Sequence, residues 1–324
     1  MRAFLFLFPG QGAQYVGIGK DLIAEFPLAA QIYDQASSIL GYDMIALCND
    51  ETGDDINLTR YTQPVLLTHS HACMQVFLHQ TSQKYRPGFA CGHSLGEYGA
   101  LIAAQALEFE SALKLVSARG ACMGQHGGGE MLALALSENQ LTPLIESGRC
   151  EIAACNLPEQ TVVGGMPEEL DQLALRIEEA FPGKPSTRLK TEGAFHTSHM
   201  FPAAQEFQSH LDDADIRTPT IPVASNVTGG FHDSQAEAIK RNLYLQLFKP
   251  VRWHRNLMTI AESGIDAVIE FGGGLGGGND PADKRPNLAG TVMRSYRGLS
   301  PRPAYHSVIN LKTLHDTIGK LETA

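Results

Sequence analysis

The chain has 324 residues and a formal net charge of −10, with hydrophobic residues at 43% and no low-complexity tract. That length suits one large domain, or one domain carrying a smaller insert. The acidic balance argues against a nucleic-acid partner, and no apolar run approaches the length of a membrane span. The early apolar run over 3–8 is cut by Pro9-Gly10, too soon for the core of a signal peptide. Six cysteines (Cys48, Cys73, Cys91, Cys122, Cys150 and Cys155) show no CxxC pair, so free, mostly buried thiols in a reducing cytoplasm are expected.

Residues 2–8 are apolar nearly throughout, which predicts a strand buried on both faces of a parallel sheet. The strand runs into Pro9-Gly10-Gln11-Gly12-Ala13-Gln14, a turn of the strand-to-helix kind. Helices are expected over 21–40 and 62–81, with His69 and His71 on a polar face of the second. A short strand over 87–92 ends in glycine and leads to a helix over 95–107, whose Gly99, Ala100, Ala103 and Ala104 permit close packing on a sheet. After Gly127-Gly128-Gly129 the pattern changes: strand 131–136, helix 138–146, strands 151–155 and 161–164, helix 167–181 and strand 186–190. This order, β-α-β-β-α-β, suggests a compact ferredoxin-like insert. A helix over 200–211, strands over 223–227 and 267–271, and helices over 236–247 and 255–264 return to the alternation of a covered parallel sheet.

Ser94 stands between two glycines in Gly92-His93-Ser94-Leu95-Gly96, after an expected strand and before an expected helix. A GxSxG alone is a weak signal, but this setting lets the backbone turn sharply and expose the hydroxyl at a helix N-terminus. That end of a helix favours the negative charge that develops when an acyl carbonyl is attacked. An ordinary helix N-cap is the bland alternative.

Other segments decide between them. Gly10-Gln11-Gly12-Ala13-Gln14, Thr62-Gln63-Pro64, Gly92-His93-Ser94-Leu95-Gly96-Glu97-Tyr98, Arg119-Gly120 with Met123, and Gly193-Ala194-Phe195-His196-Thr197 follow one another in order. In this series the chain resembles the malonyl-CoA:acyl carrier protein transacylases and the related acyltransferases of polyketide synthases, from Phe8 to about Phe271. Its glycine-rich departure, described below, is closer to a free-standing, trans-acting polyketide acyltransferase. The resemblance implies an α/β fold: a large α/β-hydrolase-like subdomain with a parallel sheet (1–126 and 195–324) and an inserted small ferredoxin-like subdomain (127–194). It also implies ping-pong transfer, in which Ser94 takes a malonyl group from coenzyme A and yields it to the phosphopantetheine thiol of an acyl carrier protein. The coenzyme A thioester is substrate, and no cofactor is expected.

The same resemblance distributes roles. His196 takes the position of the general base, oriented by a backbone carbonyl beside Gln246, so the pair is a dyad without a third carboxylate. Backbone N–H groups of Gln11 and Leu95 are expected to form the oxyanion hole. Arg119 is expected to fork the free carboxylate of malonate, a task that suits a planar guanidinium. Leu95 and Phe195 resemble the malonyl-type pocket, and Gln63, His93, Asn156 and Gln246 complete the expected substrate-binding set. His93 is expected to support the elbow, and Gln160 to face the site with Asn156. His196 and His199 have HxxH spacing, but without an acidic or cysteine ligand nearby no metal is expected.

One stretch departs from the family, which closes its last core strand with a glycine-proline-glycine and a short lysine-containing stretch. Here residues 272–288 are longer and rich in glycine, without the GxxxxGK[ST] order of a phosphate loop. They read either as a loop or as a rebuilt wall of the acyl channel. Two other functions remain in view: an acyl hydrolase clearing carrier proteins with the same dyad, and a carrier-docking module without activity. Lys184, Arg188, Lys190, Lys240, Arg241, Lys249, Arg252 and Arg255 are candidates for a basic patch facing an acidic carrier.

Overall fold

The computed structural model describes residues 3–145 and 149–323. Arg2 and Glu146, the expected start of the first strand and end of the helix from Glu138, lie outside the described residues. Among these, eight strands form two sheets: β1 (Phe4–Phe8), β2 (Pro87–Gly92), β3 (Glu130–Leu134), β4 (Cys150–Leu157), β5 (Gln160–Gly165), β6 (Ser186–Leu189), β7 (Ala267–Phe271) and β8 (Ala304–Val308). All residues of β1 and β7 are buried, as strands covered by helices on both faces must be. They pair in parallel in the order β2-β1-β7-β8. The carboxyl ends of β1, β2 and β7 therefore share one edge, and Pro9, His93 and Gly272 leave the sheet there. In open parallel sheets this is the edge where ligands bind.

The second sheet is antiparallel, in the order β4-β5-β3-β6. With the helices Glu138–Leu141 and Pro167–Ala180 it has ferredoxin-like topology. Pro167 sits at the start of the longer helix and Glu168 and Glu169 in its first turn, where a fixed φ and negative charge both favour helix. Leu170, Leu173 and Ile177 form its apolar stripe and pack with Leu132, Leu134 and Val163 in a small separate core. The two bodies meet where Val251 N donates to Ala153 O and Cys155 N donates to Val251 O, each at 2.9 Å.

Several local expectations change. The helix expected over 21–40 is two, Lys20–Glu25 and Pro27–Leu40, because Phe26 is extended ahead of a proline. Residues 223–227 do not make a strand: Val223 and Ala224 form isolated bridges only. Ser225 N instead bonds Gly230 O, and Asn226 N bonds the Glu97 carboxylate, so their ladder groups are used elsewhere. His69 is not on a polar face. It is buried between Tyr33 Oη (3.0 Å) and Ile309 O (3.1 Å), and burial lowers its pKa to about 4. His71 stacks on Phe109 at 4.3 Å.

Candidate active site

The turn after β2 is built on steric necessity. A Cβ on Gly92 would lie 1.9 Å from the Gly96 carbonyl carbon, and one on Gly96 would lie 2.1 Å from Phe8 O. Only glycine fits either place, so the strand can turn directly into the helix Gly96–Ala103. Ser94, at the crest, has φ 51°, a left-handed conformation that a serine keeps only when its surroundings hold it. Asn226 holds it: Oδ1 accepts from Ser94 N at 2.6 Å, and Nδ2 donates to Gly92 O at 2.8 Å.

Ser94 Oγ lies 2.8 Å from His196 Nε2, and His196 Nδ1 lies 2.6 Å from Gln246 O. A carbonyl only accepts, so Nδ1 carries the proton and Nε2 is free to take one from the serine. His196 also has positive φ, 63°. Burial, with Arg119 and His93 beside it, pulls its pKa down to about 3, which leaves the imidazole neutral and available as a base. The backbone N–H groups of Gln11 and Leu95 have no hydrogen-bond partner among the described residues.

Arg119 is 1% exposed. Its Nη1 donates to Gln63 Oε1 at 2.8 Å, and its Nη2 to Gln246 Oε1 at 2.9 Å and to Ser94 Oγ at 3.2 Å, while Nε is unpaired. Burial lowers the pKa, yet a guanidinium stays charged. Among the described residues, a buried cation beside the serine thus hydrogen-bonds neutral oxygens only, with the Tyr98 ring 5.9 Å away. Desolvating such a charge with no anion in contact is costly, and an incoming carboxylate would relieve it.

A cavity of about 420 Å³ opens over these groups. Gln11, Gln63, His93, Ser94, Leu95, Arg119, Asn156, Phe195 and His196 all line it, with Met123, Met131, Val162, Leu189 and Trp253 supplying apolar wall. His93 Nε2 lies 2.9 Å from Asn156 Oδ1, and its ring meets Trp253 edge-on. Gln246 is different: fully buried and outside the lining, it lies behind Arg119 and His196, bonded to both. Gln160 does not reach the site either, and pairs with Arg294 at 3.4 Å. The glycine-rich stretch is not a channel wall along its length. Gly272 and Gly273 have positive φ and sit against Ser70, Ala13 and Pro9. Lys284 Nζ then ties the loop by donating to Gly276 O (2.8 Å) and Gly278 O (2.6 Å). Only Asn287 and Leu288, at its end, reach the cavity. Asn226 and Glu97 were missed as site-builders; a polar pair, Ser225-Asn226, inside an apolar run was the available signal for the first.

A parallel sheet, a glycine-framed serine at its carboxyl edge and a histidine on the serine define an α/β protein of the nucleophile-elbow class. The chain belongs to the acyl transferase domain family, whose model matches residues 5–272. It is 35% identical over 283 residues to the malonyl CoA-acyl carrier protein transacylase of Bacillus subtilis strain 168, covering 85% of this chain and 88% of that one. The crystal structure of the corresponding enzyme from Streptococcus pneumoniae superposes with a TM-score of 0.85 at 33% identity, covering 98% of this chain and 99% of that one. A malonyl-transacylase in complex with its type II polyketide acyl-carrier protein superposes with a TM-score of 0.86 at 29% identity, covering 98% and 99%. No helix among the described residues is long and apolar enough to cross a membrane, and none of their His, Cys, Asp and Glu side chains form a group that could hold a metal ion.

Proposed function

We propose that this protein transfers malonyl from coenzyme A to the phosphopantetheine thiol of an acyl carrier protein, in fatty acid or polyketide biosynthesis. The observation that carries the reading is Arg119, a buried guanidinium 3.2 Å from the serine hydroxyl, with no carboxylate in contact among the described residues. It supports an acyl donor that brings its own carboxylate. A hydrolase of neutral acyl chains gains nothing from such a group.

In the first half-reaction Ser94 Oγ attacks the thioester carbonyl as His196 Nε2 takes its proton, and the N–H groups of Gln11 and Leu95 receive the developing oxyanion. Arg119, donating to Oγ, leaves the hydroxyl hydrogen directed at His196. The C–S bond breaks, the coenzyme A sulfur leaves with the proton from His196, and a malonyl ester remains on Ser94. In the second, His196 removes the proton of the carrier's thiol, the sulfur attacks the ester, and Ser94 leaves and regains the proton. The apolar wall of Met123, Met131, Val162, Leu189 and Phe195 limits water, which would otherwise hydrolyse the ester.

We place the boundaries of the inserted subdomain at 127 and 194, the enzyme in the cytoplasm, and its chemistry on the protein's own groups, without a cofactor. The test is competition between malonyl- and acetyl-coenzyme A. Losing a bidentate charged contact should lower the malonyl-to-acetyl ratio of Arg119→Ala by on the order of 10²-fold against the parent. An unchanged ratio would make Arg119 a structural residue.

A further inference from the structure

The reaction as described leaves Glu97 without a task, although it is a buried carboxylate one helical turn from the nucleophile. It is 0% exposed. Its Oε1 accepts from His232 Nε2 at 2.6 Å, and its Oε2 accepts from Asn226 N at 3.0 Å and from Gln246 Nε2 at 2.8 Å. Behind His232, Asn242 Nδ2 lies 3.3 Å from Nδ1. Gln246 joins this carboxylate to the reacting groups. Its Nε2 also donates to Ser94 O at 3.1 Å, its Oε1 accepts from Arg119 Nη2 at 2.9 Å, and its backbone carbonyl accepts from His196 Nδ1.

A glutamine amide has a donor end and an acceptor end, and the two look alike in shape. Arg119 offers only donors and a carboxylate only acceptors, so one orientation of the Gln246 amide satisfies both. Turned over, its NH₂ would face the guanidinium and its oxygen would face Glu97, leaving two buried like-signed contacts. We infer that Glu97 is a positioning residue for substrate selection: it holds the Gln246 amide with its oxygen toward Arg119 and so keeps the guanidinium aimed at Ser94. Glu97 also supplies a negative charge one amide away from Arg119, without occupying the guanidinium face that a malonyl carboxylate needs. Through Asn226 N it steadies the residue that clamps the elbow. The inference rests on the malonyl reading above.

Glu97→Gln preserves shape and removes the charge: its NH₂ either faces the Asn226 and Gln246 donors, or turns to a His232 Nε2 that accepts and leaves those two donors a neutral oxygen. Self-acylation of this variant should fall for both donors, because Asn226 is disturbed. The malonyl-to-acetyl ratio should fall further, by about tenfold, with the loss in KM for malonyl-coenzyme A. A merely structural role would lower both rates together and leave the ratio alone. In a Gln246→Leu background, which keeps the carbonyl that holds His196, Glu97→Gln should change the ratio no further. Glu97→Asp keeps the charge and should give a ratio between parent and Glu97→Gln; it decides the question alone if Glu97→Gln does not fold. A folded Glu97 variant with the parent's ratio overturns the inference and leaves the malonyl reading standing. A parent without malonyl preference removes that reading, and the inference with it.

Discussion

At the scale of single residues, Arg119 does two things that can be separated. In the proposed reaction it meets the substrate carboxylate, and its charge is the second cause, after burial, of the low pKa of His196. Self-acylation should therefore stay base-competent well below pH 6.5, where a free imidazole protonates, because the folded histidine remains neutral until about pH 3. In Arg119→Ala the acid limb of the acetyl-transfer profile should move to higher pH; an unmoved limb would mean that burial alone sets the histidine. Ser94→Ala should form no acyl-enzyme detectable by intact mass, and His196→Ala should acylate only slowly, since a serine hydroxyl without its base is a poor nucleophile. The places of Ser94, Arg119 and His196 were legible because each lies in a short local motif. Asn226 and Glu97 were not: they act on each other 129 positions apart, and one sequence carries no record of that contact. Gln246 was legible by name, yet its burial behind Arg119 was not.

At the scale of elements, the strands β1, β2 and β7 could be read from buried apolar runs and terminal glycines, and the helix after Ser94 from its small residues. Gly99 shows why small residues were needed: an added Cβ would lie 2.9 Å from the Phe8 ring. The strand expected over 223–227 failed because Ser225 and Asn226 spend their backbone groups on a turn and on Glu97. β8 and the helix Leu311–Thr323 went unread, since β8 is only half-buried and alternates weakly. β7 carries a further consequence at Glu270, which is fully buried. Its carboxylate accepts from Asn287 N (2.7 Å), Leu288 N and Tyr305 Oη, anchoring the end of the glycine-rich stretch where it meets the cavity. Burial outweighs these donors and raises its pKa from 4.5 to about 7. A raised carboxyl pKa contributes stability that is complete below 4.5 and is lost as pH rises through about 7, on the order of 3 kcal/mol. The parent should thus lose melting temperature across that window relative to Glu270→Gln, measured side by side; parallel curves would show that Glu270 ionises freely in the fold.

At the scale of the whole molecule, the serine lies on one body and part of the cavity wall on the other. Met131, Ala154, Asn156, Val162 and Leu189 come from the antiparallel sheet, so the closure at Val251 positions both halves of the site. Sequence periodicity disclosed the two bodies, because each has its own alternation of strand and helix. It could not disclose the sharing of charge on their surfaces. Arg188 is tied to Glu130 and Asp171, and Arg252 to Glu138 at 2.7 Å, which removes both from the free cluster expected to face a carrier. Lys240 donates to Asp212 O and lies 3.7 Å from Glu237, while Lys190, which lines the cavity, remains with Lys184, Arg241, Lys249 and Arg255. Salt should accordingly slow transfer to the carrier more than self-acylation, and equal sensitivity of both half-reactions would count against an electrostatic docking face. The most direct test of the account is intact-mass analysis of the protein after mixing with equimolar malonyl- and acetyl-coenzyme A, followed by addition of phosphopantetheinylated carrier protein. Malonyl transfer through the serine predicts a malonyl adduct on Ser94 that disappears as the carrier gains the same mass. An acetyl adduct in preference, or an ester lost to free acid while the carrier stays unloaded, would contradict it.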